Sequence, residues 1–117
     1  MPLVDAVLND AADGAVATIT HAQIHTADPE PASGVGTEAT SARLPITWDA
    51  ATGTIASADA TLSFTGGAAS GPATHIGLWS ALAGGTFLGS HPLTGDQTFN
   101  AAGEYDVTNL SVDLNNA

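Results

Sequence analysis

At 117 residues the chain has the length of one domain with an ordinary hydrophobic core. Twelve acidic residues stand against a single basic residue, Arg43, which gives a formal net charge of −11. Binding to nucleic acid or to an anionic membrane needs clustered lysine and arginine, so this balance excludes both partners. The chain has no cysteine, which excludes disulfides and thiolate chemistry.

The first predicted element is a helix from Pro2 to Ala12, within an N-terminal segment of residues 1–13. Gly14 is placed to end it, and Leu3, Val7 and Leu8 fall on one face. A helix of about three turns is not stable alone in water. We therefore expect this apolar face to pack on the end of a sheet or on a neighbouring subunit.

A strand is predicted over residues 15–26, where β-branched residues are frequent. The loop that follows, residues 28–41, contains Pro29 and Pro31 and few large apolar groups. We expect that it cannot order itself by burial, so that it is either mobile or bound to a partner, and that this loop or the helix lies in an intermolecular interface.

The rest of the chain is a series of short predicted strands. Residues 43–48 alternate, and Pro45, which lacks an N–H group, predicts an edge strand there. Further strands are predicted around Ile55, over 60–65, 74–80 and 86–88, around Phe99, and over 105–114. This spacing predicts an all-β fold with one short N-terminal helix. We expect a single antiparallel β-sandwich domain over residues 1–117, immunoglobulin-like or jelly-roll-like.

The predicted core consists of the inward-facing large side chains of these strands: Leu44, Ile46, Trp48, Leu62, Phe64, Ile76, Leu78, Phe87, Phe99, Leu110 and Val112. Since neighbouring strand residues point to opposite faces, Trp79 would face away from Leu78. It would then point, with His75, toward a partner or toward a second layer.

No combination of residues predicts a metal site or a catalytic centre. His21 and His25 share a face of the predicted strand but lie ~13 Å apart, too far to bind one ion directly. Ser90 and His91 are adjacent, so they point to opposite faces and cannot act as nucleophile and base beside Asp96.

The carboxylates are also dispersed, and their closest pairs, Asp28 with Glu30 and Glu104 with Asp106, lack the pattern of a calcium loop. We expect a protein that is not an enzyme and uses no cofactor.

Several phrases resemble one protein family. They are THIGLWS (74–80), GGTFLG (84–89) and LTGDQTFNAAGEY (93–105), together with ITHAQIHTADP (19–29). They resemble small virion proteins of tailed phages of actinobacteria, usually labelled minor tail, tail-fibre-like or head-associated proteins. The resemblance covers most of the chain and implies a virion component made in the host cytoplasm.

Only 11% of the residues are charged, against about 25% in average domains, so the expected surface is rich in small side chains. Such a surface loses little side-chain entropy when a partner covers it. We therefore expect a structural protein that binds other virion proteins and itself, as a homo-oligomeric capsid decoration or cement protein or a minor tail component. The alternative is a carbohydrate-binding module for receptor recognition at the tail tip. The predicted interface residues are Leu3, Val7, Leu8, Pro29, Pro31 and Trp79.

Overall fold

The computed structural model describes residues 5–32, 34–52, 55–108 and 110–113. Over these ranges the fold is mostly β, with antiparallel strands and one short helix, which confirms the predicted fold class. The elements are α1 (Asp5–Ala17), β1 (His21–His25), a 3₁₀ turn (Glu30–Ala32), β2 (Leu44–Pro45), β3 (Ile55–Ser57), β4 (Leu62–Phe64), β5 (His75–Trp79), β6 (Phe87–Pro92), β7 (Tyr105–Val107) and β8 (Ser111–Asp113).

The main sheet has four strands in the order β2-β1-β5-β6. Its centre is the antiparallel pair of β1 and β5, in which Ile24 lies opposite Ile76. Strand β2 is at one edge, as Pro45 predicts, and β6 is at the other. Two smaller antiparallel sheets, β3 with β8 and β4 with β7, complete a sandwich-like arrangement.

One apolar cluster connects the main sheet, the smaller sheets and the helix. Ile24, Ile76 and Leu78 come from one face of the main sheet, which we call the core face. The predicted core residues are buried in this cluster or packed partly buried against it, with one exception. Phe87 is the exception, because it contacts the rings of Trp79 and His25 on the opposite face.

The helix differs from its prediction in length and in orientation. It continues through Gly14 to Ala17, and its buried residues are Ala12 and Val16. Val7, expected on the packing face, is 48% exposed. The helix lies against β3 and β8 with Ala12 and Val16 on its buried side, so the prediction is wrong for Val7, while Leu3 and the side chain of Leu8 lie outside the described residues.

Three strand predictions also need correction. Around Phe99 the structure has no strand, only an isolated bridge between Thr98 and Pro72. The helix takes the first residues of the predicted strand over 15–26, so β1 begins only at His21. The predicted strand over 105–114 is divided into β7 and β8, which pair with strands of different small sheets. Within the described ranges, no helix is long and apolar enough to cross a membrane.

Candidate interaction surfaces

The second face of the main sheet, opposite the core face, is covered by the loop of residues 28–41. Pro29 is fully buried, and Gly34, with φ of +82°, lies directly on the aromatic rings of this face. A Cβ atom at Gly34 would approach Trp79 Cζ2 to 2.6 Å and Phe87 Cδ1 to 2.8 Å. The loop backbone is therefore the layer that covers Trp79.

Hydrogen bonds to β1 and to Thr26, the residue after it, hold this loop in place. The Thr26 N–H donates to Thr37 O at 2.8 Å, and the Ala39 N–H donates to Ile24 O at 2.9 Å. The Gln23 amide also donates to Ala39 O, again at 2.9 Å. The expectation that the loop cannot order itself is thus wrong. Its order comes from backbone hydrogen bonds and close backbone packing, which do not require large apolar side chains in the loop itself.

His25 is at the centre of the second face and has no exposed surface. Its Nδ1 lies 2.9 Å from Thr37 Oγ1, and its Nε2 lies 3.4 Å from the indole N–H of Trp79. Burial lowers the pKa of His25 from 6.5 to about 4, although the nearby Glu38 carboxylate opposes the shift. The imidazole is therefore neutral at pH 7 and accepts the Trp79 hydrogen bond through Nε2.

Arg43 stacks on Trp79, with its Cζ 3.8 Å from the ring centroid. One guanidinium nitrogen, Nη1, donates to Ala81 O at 2.9 Å and to Gly84 O at 2.8 Å in the β5–β6 turn. Because Arg43 is the only lysine or arginine in the sequence, the chain commits its whole permanent positive charge to an internal contact.

The predicted interface residues fall into three groups. Trp79 does lie on the face opposite Leu78, but it is only 5% exposed, so a second layer covers it and not a partner. Pro29 is covered in the same way, whereas Pro31 and Val7 are exposed and stay predicted contacts. Leu3 and the side chain of Leu8 lie outside the described residues.

The carboxylates considered for metal binding or catalysis cap turns. Asp28 Oδ1 accepts the Glu30 N–H at 3.0 Å, and Asp96 Oδ1 accepts the Thr98 N–H at 3.1 Å. Glu104 Oε1 accepts a hydrogen bond from the Asn100 side chain at 3.2 Å. Among the described residues, no group of three or more histidine and carboxylate side chains is arranged to hold a metal ion.

The β6 edge of the main sheet is exposed, and the strand itself has no Asp, Glu, Lys or Arg. No Asp, Glu, Lys or Arg occurs in residues 60–95, which include β4, β5 and β6. Leu88 on β6 is 41% exposed, and Leu82 in the β5–β6 turn is 61% exposed. Val35, the neighbour of Gly34 in the covering loop, is 68% exposed. We call Val35, Leu82, Leu88 and the β6 backbone the uncharged edge.

The contacts around Trp79 on the second face could not be read from the sequence, because the residues that make them are distant in the chain. The ring of Trp79 meets Arg43, Gly34 and Gly77 only after the strands of the main sheet pair and the loop of residues 28–41 folds over the second face. The local signal was limited to the glycine and proline content of the loop, which indicated a turn without indicating what it covers.

The comparisons with known proteins give one match. The model of the family described as "Podophage GP4 fiber I protein gp80" matches residues 2–115. No curated protein and no solved structure matches the chain.

Proposed function

We propose that this chain, which belongs to the podophage GP4 fiber I protein gp80 family, is a structural subunit of the tail fibre apparatus of a tailed phage. The match over residues 2–115 is the observation that carries this proposal, because it spans nearly the whole fold and not an appended segment. The family is one of phage fibre-like structural proteins, which makes the chain a virion component and agrees with the phage resemblance. The actinobacterial host stays a prediction.

The subunit acts by burying surface, without chemistry or a cofactor. The side chains considered for catalysis have other roles: Asp96 caps a turn, and Ser90 donates to Glu30 at 3.2 Å. His91 follows Ser90 on β6 and so points to the other face.

The uncharged edge is the surface through which copies of this chain associate. Copies that each carry a charge of −11 repel one another unless their carboxylates stay apart, and residues 60–95 keep them apart. One carboxylate comes near, that of Glu30, which accepts a hydrogen bond from Ser90 and keeps its negative charge beside the edge.

The backbone of β6 supports the same assignment. Among the described residues β6 pairs with β5 alone, so its outer N–H and C=O groups are available to another strand. Exposed Leu88 beside this backbone would add apolar burial to the hydrogen bonds of a second copy.

The location is tested by separating tails from heads in purified particles of the phage and probing each fraction with an antibody against this chain. We expect the protein in the tail fraction. Its presence on heads alone would contradict the fibre assignment and favour the decoration protein.

Self-association is tested by replacing Leu88 with Glu and measuring the sedimentation of the purified protein. We expect the oligomer to dissociate, because the substitution brings the new carboxylates of two copies close together at an edge that otherwise has no charged residue. Ile55→Glu is the matched control, since Ile55 is also an exposed strand residue, at 37%, but lies on β3 away from the edge. Equal effects of the two changes would place the interface elsewhere.

A further inference from the structure

A groove lies near the β2 edge of the main sheet, away from the uncharged edge. It has a volume of about 530 Å³ and opens between the C-terminal half of α1 and the segment that follows β2. Its polar and aromatic lining consists of Asp13, Thr20, Thr47, Trp48 and Asp49. The volume is within the range of small-molecule sites, roughly 300–1,000 Å³, and the mixture of one aromatic ring with several polar groups is typical of them.

The groove is held in shape by two hydrogen bonds to its lining residues. The Trp48 indole N–H donates to Ile19 O at 2.8 Å, which fixes the ring while part of it remains exposed. Asp13 Oδ1 accepts the Ala51 N–H at 2.7 Å, which fixes that carboxylate at the end of the helix. The site is therefore preorganised and needs little ordering when a ligand binds.

The chemistry of the lining selects the class of ligand. The fixed indole offers an apolar surface for the face of a pyranose ring, and the carboxylates of Asp13 and Asp49 accept hydrogen bonds from hydroxyl groups. Two carboxylates in a chain of net charge −11 disfavour phosphates and acidic sugars. We propose that this groove binds a neutral sugar unit of a cell-surface glycan. The inference rests on the proposed fibre function, because it assigns that fibre a receptor-recognition site.

The groove and the surface assigned to self-association lie at opposite edges of the main sheet. Strand β2 is at one edge of the sheet and β6 is at the other. Copies joined through β6 would therefore leave their grooves open to a glycan. Repetition of a weak site on several copies raises the overall avidity without a new contact.

The test measures binding of the purified protein to immobilised neutral gluco-, manno- and galacto-oligosaccharides, with oligogalacturonate as the anionic probe. We expect saturable binding to at least one neutral oligosaccharide. Ala17→Gln should weaken it about tenfold or more, because Ala17 lines the groove and a longer side chain would occupy it. Ala11→Gln is the matched control, since Ala11 is an exposed residue of the same helix outside the groove.

Asp49→Ala should also weaken binding, without the risk of misfolding that a change of Trp48 carries, since Asp49 is exposed. Three results would overturn the inference: no binding to any neutral oligosaccharide, preference for oligogalacturonate, or equal binding by the Ala17 and Ala11 variants.

A second experiment uses phage particles that carry the Ala17→Gln protein, and it distinguishes failure of the glycan site from failure of the proposed fibre function. We expect them to retain the protein in the tail at the normal level and to adsorb less to host cells. Normal adsorption would overturn the glycan site alone. Absence of even the unaltered protein from tails would overturn the proposed fibre function, while the purified protein's binding to oligosaccharides would still decide the groove.

Discussion

At the scale of single residues, the side chain of His25 fills the space that Gly77 leaves on the neighbouring strand. The two lie on the same face of the main sheet, with Gln23 opposite Gly77 in the register. A Cβ at Gly77 would lie under 3.0 Å from His25 Nε2 and 3.1 Å from Trp79 Nε1. The missing side chain at Gly77 thus permits the hydrogen bond between Trp79 and His25, which in turn places the ring on which Arg43 stacks.

Gly77→Ala should therefore destabilise the protein by about 1–3 kcal/mol, the usual cost of overpacking a close contact. Gly89→Ala is the control, because Gly89 lies on β6 of the same sheet and a Cβ there would meet no atom within 4 Å. We expect the control to change stability by no more than about 1 kcal/mol. Urea unfolding of both variants measures the difference, and similar losses would mean that His25 moves aside at low cost.

The protonation of His25 predicts a specific dependence of stability on pH. Its pKa is about 4 in the folded protein and 6.5 in the unfolded chain, so the unfolded chain takes up the proton first as the pH falls. The contribution of His25 to stability should be constant above about pH 7 and fall between pH 6.5 and pH 4. The loss from this group should be on the order of 2–3 kcal/mol.

The measurement is the free energy of unfolding against pH for His25→Gln and His91→Gln. His91 is exposed, so its variant should keep the dependence of the unaltered protein, whereas His25→Gln should lose the part between pH 6.5 and pH 4. Identical curves for the two variants would show that His25 is not the responsible group.

At the scale of elements, the helix is stabilised by packing and not by its own sequence. Val16 is 4% exposed and Ala12 has no exposed surface, and both belong to the core cluster. The interior Gly14 costs a helix roughly 1 kcal/mol relative to alanine, a loss that tertiary contacts with β3 and β8 offset. Removal of residues 1–12 would consequently damage the core, so that deletion cannot be a clean test of an interface.

Two valines of α1 show, with equal chemistry, which face of the helix packs against the sheets. Val16→Ala should cost about 1–3 kcal/mol, since it leaves a cavity in the core. Val7→Ala should stay within about 0.5 kcal/mol, because Val7 is 48% exposed. Thermal or urea unfolding gives both values, and a larger cost at Val7 would indicate that the helix packs on the opposite face.

At the scale of the whole molecule, charge is distributed unevenly along the chain. The long uncharged segment, residues 60–95, forms the β5–β6 side of the main sheet, and all twelve carboxylates belong to other parts of the sequence. The molecule measures 47 × 25 × 24 Å, so it is elongated and can keep its charged and uncharged parts apart.

Self-association through the uncharged edge should therefore strengthen as salt is added. At ~10 mM ionic strength the repulsion between copies reaches ~30 Å, and at ~0.15 M it reaches only ~8 Å. Sedimentation velocity at the two salt concentrations checks this, with Leu88→Glu expected to associate less at both. Association that weakens with salt would mean that ion pairs hold the copies together. Attachment to a basic virion partner should show that opposite dependence.

The sequence by itself determined the fold class and most of the core. The alternation of large apolar residues, as at Ile76 and Leu78, indicates strands and their buried face because side chains alternate in a strand with period two. Pro45 likewise placed β2 at an edge, since a residue without an N–H group cannot donate to a second neighbour. The charge balance predicts that anionic partners are disfavoured, because Arg43 is the only lysine or arginine, and this stays a prediction.

Only the tertiary structure decided what covers the second face and where the open surfaces lie. Trp79, Arg43, Gly34 and His25 meet through contacts between distant parts of the chain, and no local pattern encodes such contacts. The structure also decided that Val7 is exposed, because the side of the helix that carries Ala12 and Val16 is the one buried against β3 and β8. Local regularity depends on neighbouring residues and can be read from the sequence, whereas surfaces form only when distant segments pack against one another.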